Sequence, residues 1–161
     1  MTSLRLLVSL TCLAVAACST ERAPEFCRNH ALFHAEHAAS TAVLSVTMTA
    51  HGGIETEIRL PVSTFDQGST MAVLQDASKV YALQTAEECT AAEVSLSSSN
   101  DSIVAAYSSV CGAENKLGQV DVLLFESLPE LDEVDVSIVT PATQKHFAIN
   151  RQCENAIFRF E

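Results

Sequence analysis

The sequence predicts a mainly β fold: a disulfide-bonded β-sandwich, immunoglobulin-like or similar, with one short N-terminal helix. Val, Ile, Thr and Ser recur in short alternating runs separated by turn residues, which is typical of half-buried strands. The chain of 161 residues contains no tryptophan. Four of its cysteines, Cys27, Cys89, Cys111 and Cys153, fall within the predicted domain, and an even set of this kind indicates a disulfide framework.

The N-terminal residues have the organisation of an export signal. Arg5 forms a small positive region, the run from Leu6 to Val15 is apolar, and Ala16 and Ala17 are small residues of the type that precede a cleavage site. The apolar run is shorter than the ~20 residues that a membrane-spanning helix needs. Because Cys18 follows the small pair directly, this segment resembles the lipobox of bacterial lipoproteins.

The resemblance to bacterial lipoproteins implies a location for the protein. Cys18 would carry a diacylglycerol and a further acyl chain such as palmitate, and several chains together anchor a protein stably. No aspartate follows Cys18, which in that family implies the outer membrane, with the domain in the periplasm. We therefore expect a signal peptide at 1–17, a lipidated tether at 18–25 and a single β-rich domain at 26–161.

Composition limits the classes of partner. The formal net charge is −11, and removing Arg5 with the leader makes it −12. An acidic chain without basic patches or stacking aromatic residues is not expected to bind nucleic acid. The expected partners are the membrane, through the lipid at Cys18, and another protein of the cell envelope.

A histidine cluster lies near the start of the predicted domain. Residues 25–39 predict a short helix, because they include good helix formers and no internal Gly or Pro. His30, His34 and His37 fall on one arc of that helix. Three imidazoles with an open fourth position suit Zn²⁺ or Cu²⁺. The preferred interpretation is nevertheless that these side chains pack against the sheets and that no cofactor is bound, with the zinc or copper site as the alternative.

The clearest structural signal is a hairpin around His51-Gly52-Gly53. A three-residue loop with Gly available for positive φ is a common hairpin connection. The symmetric register pairs Leu44 with Leu60 on an apolar face and Thr47 with Glu57 on a polar face. Because the two faces agree on the register, the hairpin is the most strongly predicted element.

A second hairpin is predicted from residues 93–98 and 103–110. It turns at Asn100-Asp101, and both of these residues tolerate the left-handed conformation of tight hairpins. Residues 71–76 fit either a short strand or a helical turn. Further strands are predicted at 80–85, 120–125, 134–140, 146–150 and 156–160.

The four domain cysteines allow three disulfide connectivities. Continuing the register of the second hairpin outward places Cys89 nearly opposite Cys111, which favours a bridge closing its open end. Cys27 would then pair with Cys153 and tie the start of the domain to its last strand. No Cys-x-x-Cys pair occurs, so the sequence favours neither a redox-active dithiol nor a zinc ribbon.

The acidic segment from Glu126 to Asp135 lacks the Asp/Asn spacing and the glycine of a calcium loop. We expect a solvated loop, with docking of a basic partner as the alternative. The sequence contains no Gly-x-Ser-x-Gly, His-Glu-x-x-His, Ser-x-x-Lys or glycine-rich phosphate motif. This pattern favours a protein that is not an enzyme.

Three functional hypotheses follow. The preferred one is a non-catalytic binding or assembly module of the envelope, which predicts an exposed apolar patch or an unpaired edge strand. The alternative is a periplasmic zinc- or copper-binding lipoprotein, which predicts that His30, His34 and His37 converge at the surface. The third is an enzyme with catalytic residues dispersed in sequence, which predicts a deep pocket with convergent polar groups.

Overall fold

The computed structural model describes residues 41–112 and 116–151 and the backbone of residues 157–159. The helix predicted at 25–39 lies outside these residues. The helices of the described chain are α1 (Gln67–Leu74) and α2 (Leu124–Ser127), with a 3-10 turn at Ala77–Lys79. The strands are β1 (Thr41–Met48), β2 (Gly53–Pro61), β3 (Tyr81–Thr85), β4 (Glu93–Ser98), β5 (Ser102–Val110), β6 (Leu117–Val122), β7 (Glu133–Val139), β8 (Gln144–Asn150) and β9 (Ile157–Arg159).

The strands form two sheets, which confirms the mainly β, sandwich-like prediction. The larger sheet has the order β4-β5-β2-β1-β7-β8, and the smaller one has the order β3-β6-β9. β1 lies in the middle of the larger sheet, antiparallel to β2 and parallel to β7. A parallel pair requires a crossover, and the chain between β1 and β7 contains β3 and β6 of the smaller sheet and both helices. Among the described residues, no helix is long and apolar enough to cross a membrane.

The larger sheet has one apolar and one polar face. In β2, Ile54 and Ile58 are buried while Glu55 and Glu57 are exposed, and β1 and β7 alternate in the same way. Because side chains alternate with period two, slipping β2 by one residue would turn these carboxylates into the core. The largest buried side chains of the core are Tyr107, Phe125, Leu44, Ile54, Ile58, Leu60, Leu74, Ile103, Leu124, Leu131, Ile138 and Ile149.

The first hairpin forms with a register different from the predicted one. Leu44 lies opposite Ile58 rather than Leu60, because the three-residue loop is Ala50-His51-Gly52, one residue earlier than predicted. Gly52 has φ 82° and donates its N–H to the Thr49 carbonyl at 3.1 Å. Since the shift moves each partner by two residues, the apolar and polar faces are those predicted.

A close approach explains why Gly52, and not Gly53, takes the left-handed conformation. A Cβ at Gly52 would lie 2.2 Å from the carbonyl oxygen of Gly112. The N–H of Cys111 donates to the Gly52 carbonyl at 3.3 Å. The loop of the first hairpin is therefore packed against the end of β5, where only glycine fits.

The second hairpin has the predicted strands and turn. Ser98 lies opposite Ile103, and Asn100 and Asp101 form the turn between them. No non-glycine residue of the described chain has a positive φ, so the left-handed turn expected there does not form. The Ser99 hydroxyl instead accepts hydrogen bonds from the N–H groups of Asp101 and Ser102 at 3.3 and 3.1 Å.

The predicted Cys89–Cys111 disulfide is confirmed, with the two Cα atoms 4.2 Å apart. It closes the open end of the second hairpin, where the Thr90 N–H donates to the Val110 carbonyl at 2.9 Å. Cys27 and Cys153 lie outside the described residues, so their pairing stays a prediction.

The prediction of a strand at 120–125 is wrong in its second half. β6 ends at Val122, and Leu124–Ser127 forms α2. Leu124 and Phe125 are both buried, whereas consecutive strand residues point to opposite faces. A helical turn places both side chains in the core. Residues 71–76 fitted either a short strand or a helical turn. The structure shows the helical alternative, because α1 extends to Leu74.

Candidate functional site

The polar face of the larger sheet concentrates the charged side chains of the strands. Cross-strand pairing places one row along Ser95, Ala106, Glu57, Ser45, Ser137 and His146. We call this surface the outer face, because its residues point away from the core. Its carboxylates are Glu55, Glu57, Glu93, Glu133 and Asp135. Arg59 lies on the same face of β2, two positions after Glu57.

One half of the outer face, over β1, β2, β5 and β4, is an open acidic cleft. Its volume is about 540 Å³, and its lining includes Glu55, Glu57 and Glu93. Arg59 donates to the Glu57 carboxylate at 3.1 Å, and both side chains are about half exposed. An exposed pair of this kind contributes little to stability. The cleft is an open, solvated acidic surface.

The other half of the outer face, over β1, β7 and β8, is more enclosed. Thr41 is 5% exposed, and its hydroxyl has no hydrogen-bond partner in the part of the chain that the structure describes. Thr41 lies opposite Glu133, and Val43 lies opposite Asp135. Glu133 and Asp135 are half-buried. This half therefore places a buried hydroxyl beside two partly shielded carboxylates.

The acidic loop between α2 and β7 is organised by Arg151. Its guanidinium donates to the carbonyls of Phe125 at 2.9 Å and Leu131 at 2.7 Å, and to those of Leu128 and Pro129 at 3.1 and 2.8 Å. The guanidinium also lies over the Phe125 ring, 5.6 Å from its centroid. These carbonyl oxygens face a fixed cation, which argues against the calcium loop considered from sequence.

Two carboxylates outside the outer face have structural roles. Asp66 caps α1, and the hydrogen bond from the Ser69 N–H at 2.9 Å lowers the pKa of its carboxyl group. Asp76 caps the 3-10 turn, and the hydrogen bond from the Ser78 hydroxyl at 2.6 Å lowers the pKa of that carboxyl group. Both carboxylates stabilise chain reversals before and after α1.

The predicted site residues of the N-terminal segment lie outside the described residues. These are Cys18, Cys27, His30, His34 and His37. The described histidines are His51, exposed in the first hairpin loop, and His146, exposed on β8. Within residues 41–112 and 116–151, no three His, Cys, Asp or Glu side chains are arranged to hold a metal ion.

The fold and its surface define the class of protein: a disulfide-bonded, mainly β domain with an acidic outer face. In the sequence, a histidine cluster precedes this domain. The family model of ZrgA family zinc uptake proteins matches residues 29–158. The chain therefore belongs to the ZrgA family. No curated protein matches the chain.

The structural roles of Arg151 and Glu133 could not be recognised from the sequence. Arg151 is one of several isolated basic residues, and its role depends on carbonyls that converge only after folding. Glu133 belongs to an acidic run and is distinguished only by pairing with Thr41. The histidine cluster, in contrast, is readable from its spacing alone. The family match includes it, because the matched residues begin at 29.

Proposed function

We propose that this protein is a non-catalytic, zinc-binding lipoprotein of the bacterial envelope that captures zinc for uptake through His30, His34 and His37. The observation that carries the proposal is the match to the ZrgA family over residues 29–158, which includes all three histidines. The family favours the metal-binding hypothesis over the assembly module that the sequence alone preferred.

The chemistry of the chain supports zinc as the cargo. Imidazole nitrogen is a favoured zinc ligand, and three such nitrogens leave a fourth position open. The net charge of −11 and the carboxylates of the outer face attract cations to the domain. Because no three-residue metal group exists among the described residues, the histidine segment is the best source of ligands.

The same proposal places the protein at the outer membrane, anchored at Cys18 with its domain in the periplasm. The lipobox-like leader supports the anchor. The Cys89–Cys111 disulfide fits an oxidising compartment, since such bonds are rare where thiols are kept reduced. An anchored domain in the periplasm would meet zinc that has crossed the outer membrane.

A second candidate function, an assembly module, is favoured by one observation. β4 lies at the edge of the larger sheet, and Val94 on β4 is 37% exposed. Val110, at the end of neighbouring β5, is 65% exposed. An edge strand with exposed apolar side chains can pair with another chain. In this alternative, zinc binding would be weak or absent.

The test is a metal analysis of the protein produced from its full chain, with its own leader and without a His-tag. The wild type is compared with H30A/H34A/H37A and with the matched control H51A/H146A, which removes the other two histidines. We expect stoichiometric zinc in the wild type and the control, and its loss in the triple variant. A metal-free wild type, or full retention by the triple variant, would overturn the proposal.

A further inference from the structure

We propose that β4 binds an extended, basic segment of another protein by adding it as a further strand of the larger sheet. The inference rests on the second candidate function and does not require bound zinc. Strand addition of this kind draws its affinity from main-chain hydrogen bonds and its specificity from alternate side chains. The backbone, the core side and the outer side of β4 each define one property of the partner.

The backbone of β4 has unpaired hydrogen-bonding groups along its open edge. In an antiparallel pair, every second residue directs its N–H and C=O to the partner strand. The Ser99 N–H donates to the Ser102 carbonyl at 2.9 Å, so by alternation the odd-numbered residues of β4 bond β5. The backbone groups of Val94 and Leu96 face the open edge, and no hydrogen bond within the described residues satisfies them. An added strand would bond them.

The two edges of the larger sheet differ in how they are protected. Edge strands are commonly protected by proline, lysine, bulges or inward-pointing charges. On β8, Lys145 lies opposite the buried Ile138, so a charge lies on the core side of that edge. β4 has the sequence Glu-Val-Ser-Leu-Ser-Ser and pairs with β5 without a register shift. Of these two edges, β4 is therefore the one suited to pairing.

The core side of β4 is incompletely covered. Val94 lies opposite Tyr107, and Leu96 lies opposite Ala105, and both of these partners are buried in the core. Val94 is nevertheless 37% exposed, and Leu96 is half-buried. Apolar side chains on an added strand would cover both positions. The partner therefore needs apolar residues opposite Val94 and Leu96.

The outer side of β4 favours a positively charged partner. Glu93 is exposed, none of the ion pairs among the described residues includes it, and it lines the acidic cleft with Glu55 and Glu57. Lys or Arg opposite Glu93 would form a cross-strand ion pair. A second copy of this chain, with its net charge of −11, would instead extend the same acidic face. The occupant is therefore a segment in which basic residues alternate with apolar ones.

β4 is held in place at both ends before a partner binds. At its C-terminal end, the Gln67 side-chain amide donates to the Ser98 hydroxyl. Shortly before its N-terminal end, Cys89 is bonded to Cys111, which directly follows β5. A strand that is already ordered loses less conformational freedom on binding, which favours pairing at this edge.

The test uses hydrogen exchange measured by NMR on the full chain with its own leader, kept metal-free by a chelator. The probe is a synthetic peptide of about eight residues in which lysine alternates with valine, and the control peptide has glutamate in place of lysine. With the lysine peptide at about ten times its dissociation constant, amide exchange at Val94 and Leu96 should slow roughly tenfold. The glutamate peptide at the same concentration should leave it unchanged.

Two substitutions locate the contact. Val94→Pro removes an N–H that faces the open edge and leaves the ladder with β5 intact, so the lysine peptide should bind about 5–10-fold more weakly. Glu93→Lys should weaken the lysine peptide about 2–5-fold and strengthen the glutamate peptide by a similar factor. The matched control is Glu130→Lys, the same charge change in the loop before β7, which should bind both peptides like the wild type.

Thermal melting checks that each variant folds, and if Val94→Pro does not fold, the Glu93→Lys comparison decides. Unchanged exchange at Val94 and Leu96 with the lysine peptide, or equal binding of the two peptides, would overturn the proposal. A peptide-free dimer that protects the same two amides would also overturn it, because a second copy would then occupy the edge. Since no metal is present, none of these results bears on the proposed zinc binding, which metal analysis tests separately.

Discussion

The guanidinium of Arg151 donates a 2.7 Å hydrogen bond to the carbonyl of Leu131, two residues before β7 begins. The backbone N–H of Arg151 donates to the next carbonyl, that of Asp132, at 3.1 Å. Arg151 thus adds to the strand pairing that joins the end of β8 to the start of β7, where Glu133 lies opposite Asn150.

Replacing Arg151 by Lys should destabilise the domain by about 2–3 kcal/mol. Lysine keeps the charge but presents a point donor instead of a planar fork. Several of the four carbonyls would lose a charge-assisted partner, each typically worth ~1.5–3 kcal/mol and not additive. Urea unfolding at neutral pH measures the change.

Arg59→Lys is the control for that substitution. Arg59 bonds the exposed Glu57, so the effect should stay below ~0.5 kcal/mol. Hydrogen exchange should also accelerate between residues 125 and 132 in the Arg151 variant. Equal stability of the two variants would show that the carbonyl cluster contributes nothing measurable.

Tyr107→Phe should lower the free energy of unfolding at neutral pH by about 1–2 kcal/mol. The Tyr107 hydroxyl donates to the Leu74 carbonyl at 2.6 Å in a buried position, and the variant leaves that carbonyl unpaired. The ring also packs edge-on against Tyr81, with centroids 5.3 Å apart, and the variant retains this contact. Urea unfolding at pH 7 gives the first value.

The free energies of unfolding of the wild type and Y107F should converge at alkaline pH. Burial raises the pKa of Tyr107, and the nearby Tyr81 and Asp76 raise it further. Because the folded pKa lies above the unfolded value of ~10, the contribution of the neutral phenol is complete below pH 10 and is lost above it. The stability difference between wild type and Y107F should therefore shrink between about pH 10 and 11. Parallel pH curves would contradict this.

The glycines of the first hairpin and of α1 should respond oppositely to alanine. Gly52→Ala should destabilise by at least ~1–2 kcal/mol, because φ is 82° and the added Cβ would meet the Gly112 carbonyl at 2.2 Å. Gly68→Ala should be neutral or stabilise by up to ~1 kcal/mol, since its nearest neighbour is the Asp66 carboxylate at 3.7 Å. Thermal unfolding of both variants compares them, and a stable G52A would refute the close approach.

The double substitution C89A/C111A should lower stability by about 2–4 kcal/mol. The bridge spans 22 positions of sequence and restricts the unfolded chain accordingly. Urea unfolding of the variant and the wild type measures the change.

Denatured wild type should contain no free thiol at Cys27 or Cys153 if those residues form the predicted second bridge. Thiol titration decides this. Reactive Cys27 and Cys153 in the wild type would refute the second bridge and leave Cys89–Cys111 intact.

Local patterns explain what could be predicted of the fold. The alternation in β1 and β2 predicts both faces of the first hairpin, and the turn at Asn100-Asp101 places Cys89 near Cys111. The exact loop of the first hairpin could not be predicted, because Gly52 and Gly53 both tolerate positive φ. The choice between them depends on Gly112, which is remote in sequence.

Non-local packing explains what could not be predicted. The sequence around Thr41 and around Glu133 does not indicate that β1 and β7 pair in parallel. Leu124 and Phe125 continue an apolar run that fits a strand. They form α2 instead, because the helical turn allows both side chains to be buried. The histidine spacing suggests a metal site, but those residues lie outside the part of the chain that the structure describes.

The proposed function requires that histidine nitrogens bind zinc in this protein. The most direct measurement is the zinc X-ray absorption spectrum of the zinc-loaded full chain. We expect a first shell of nitrogen and oxygen at about 2.0–2.1 Å with the outer-shell scattering of three imidazoles. Sulfur scattering at about 2.3 Å, or an oxygen shell without imidazole scattering, would contradict it.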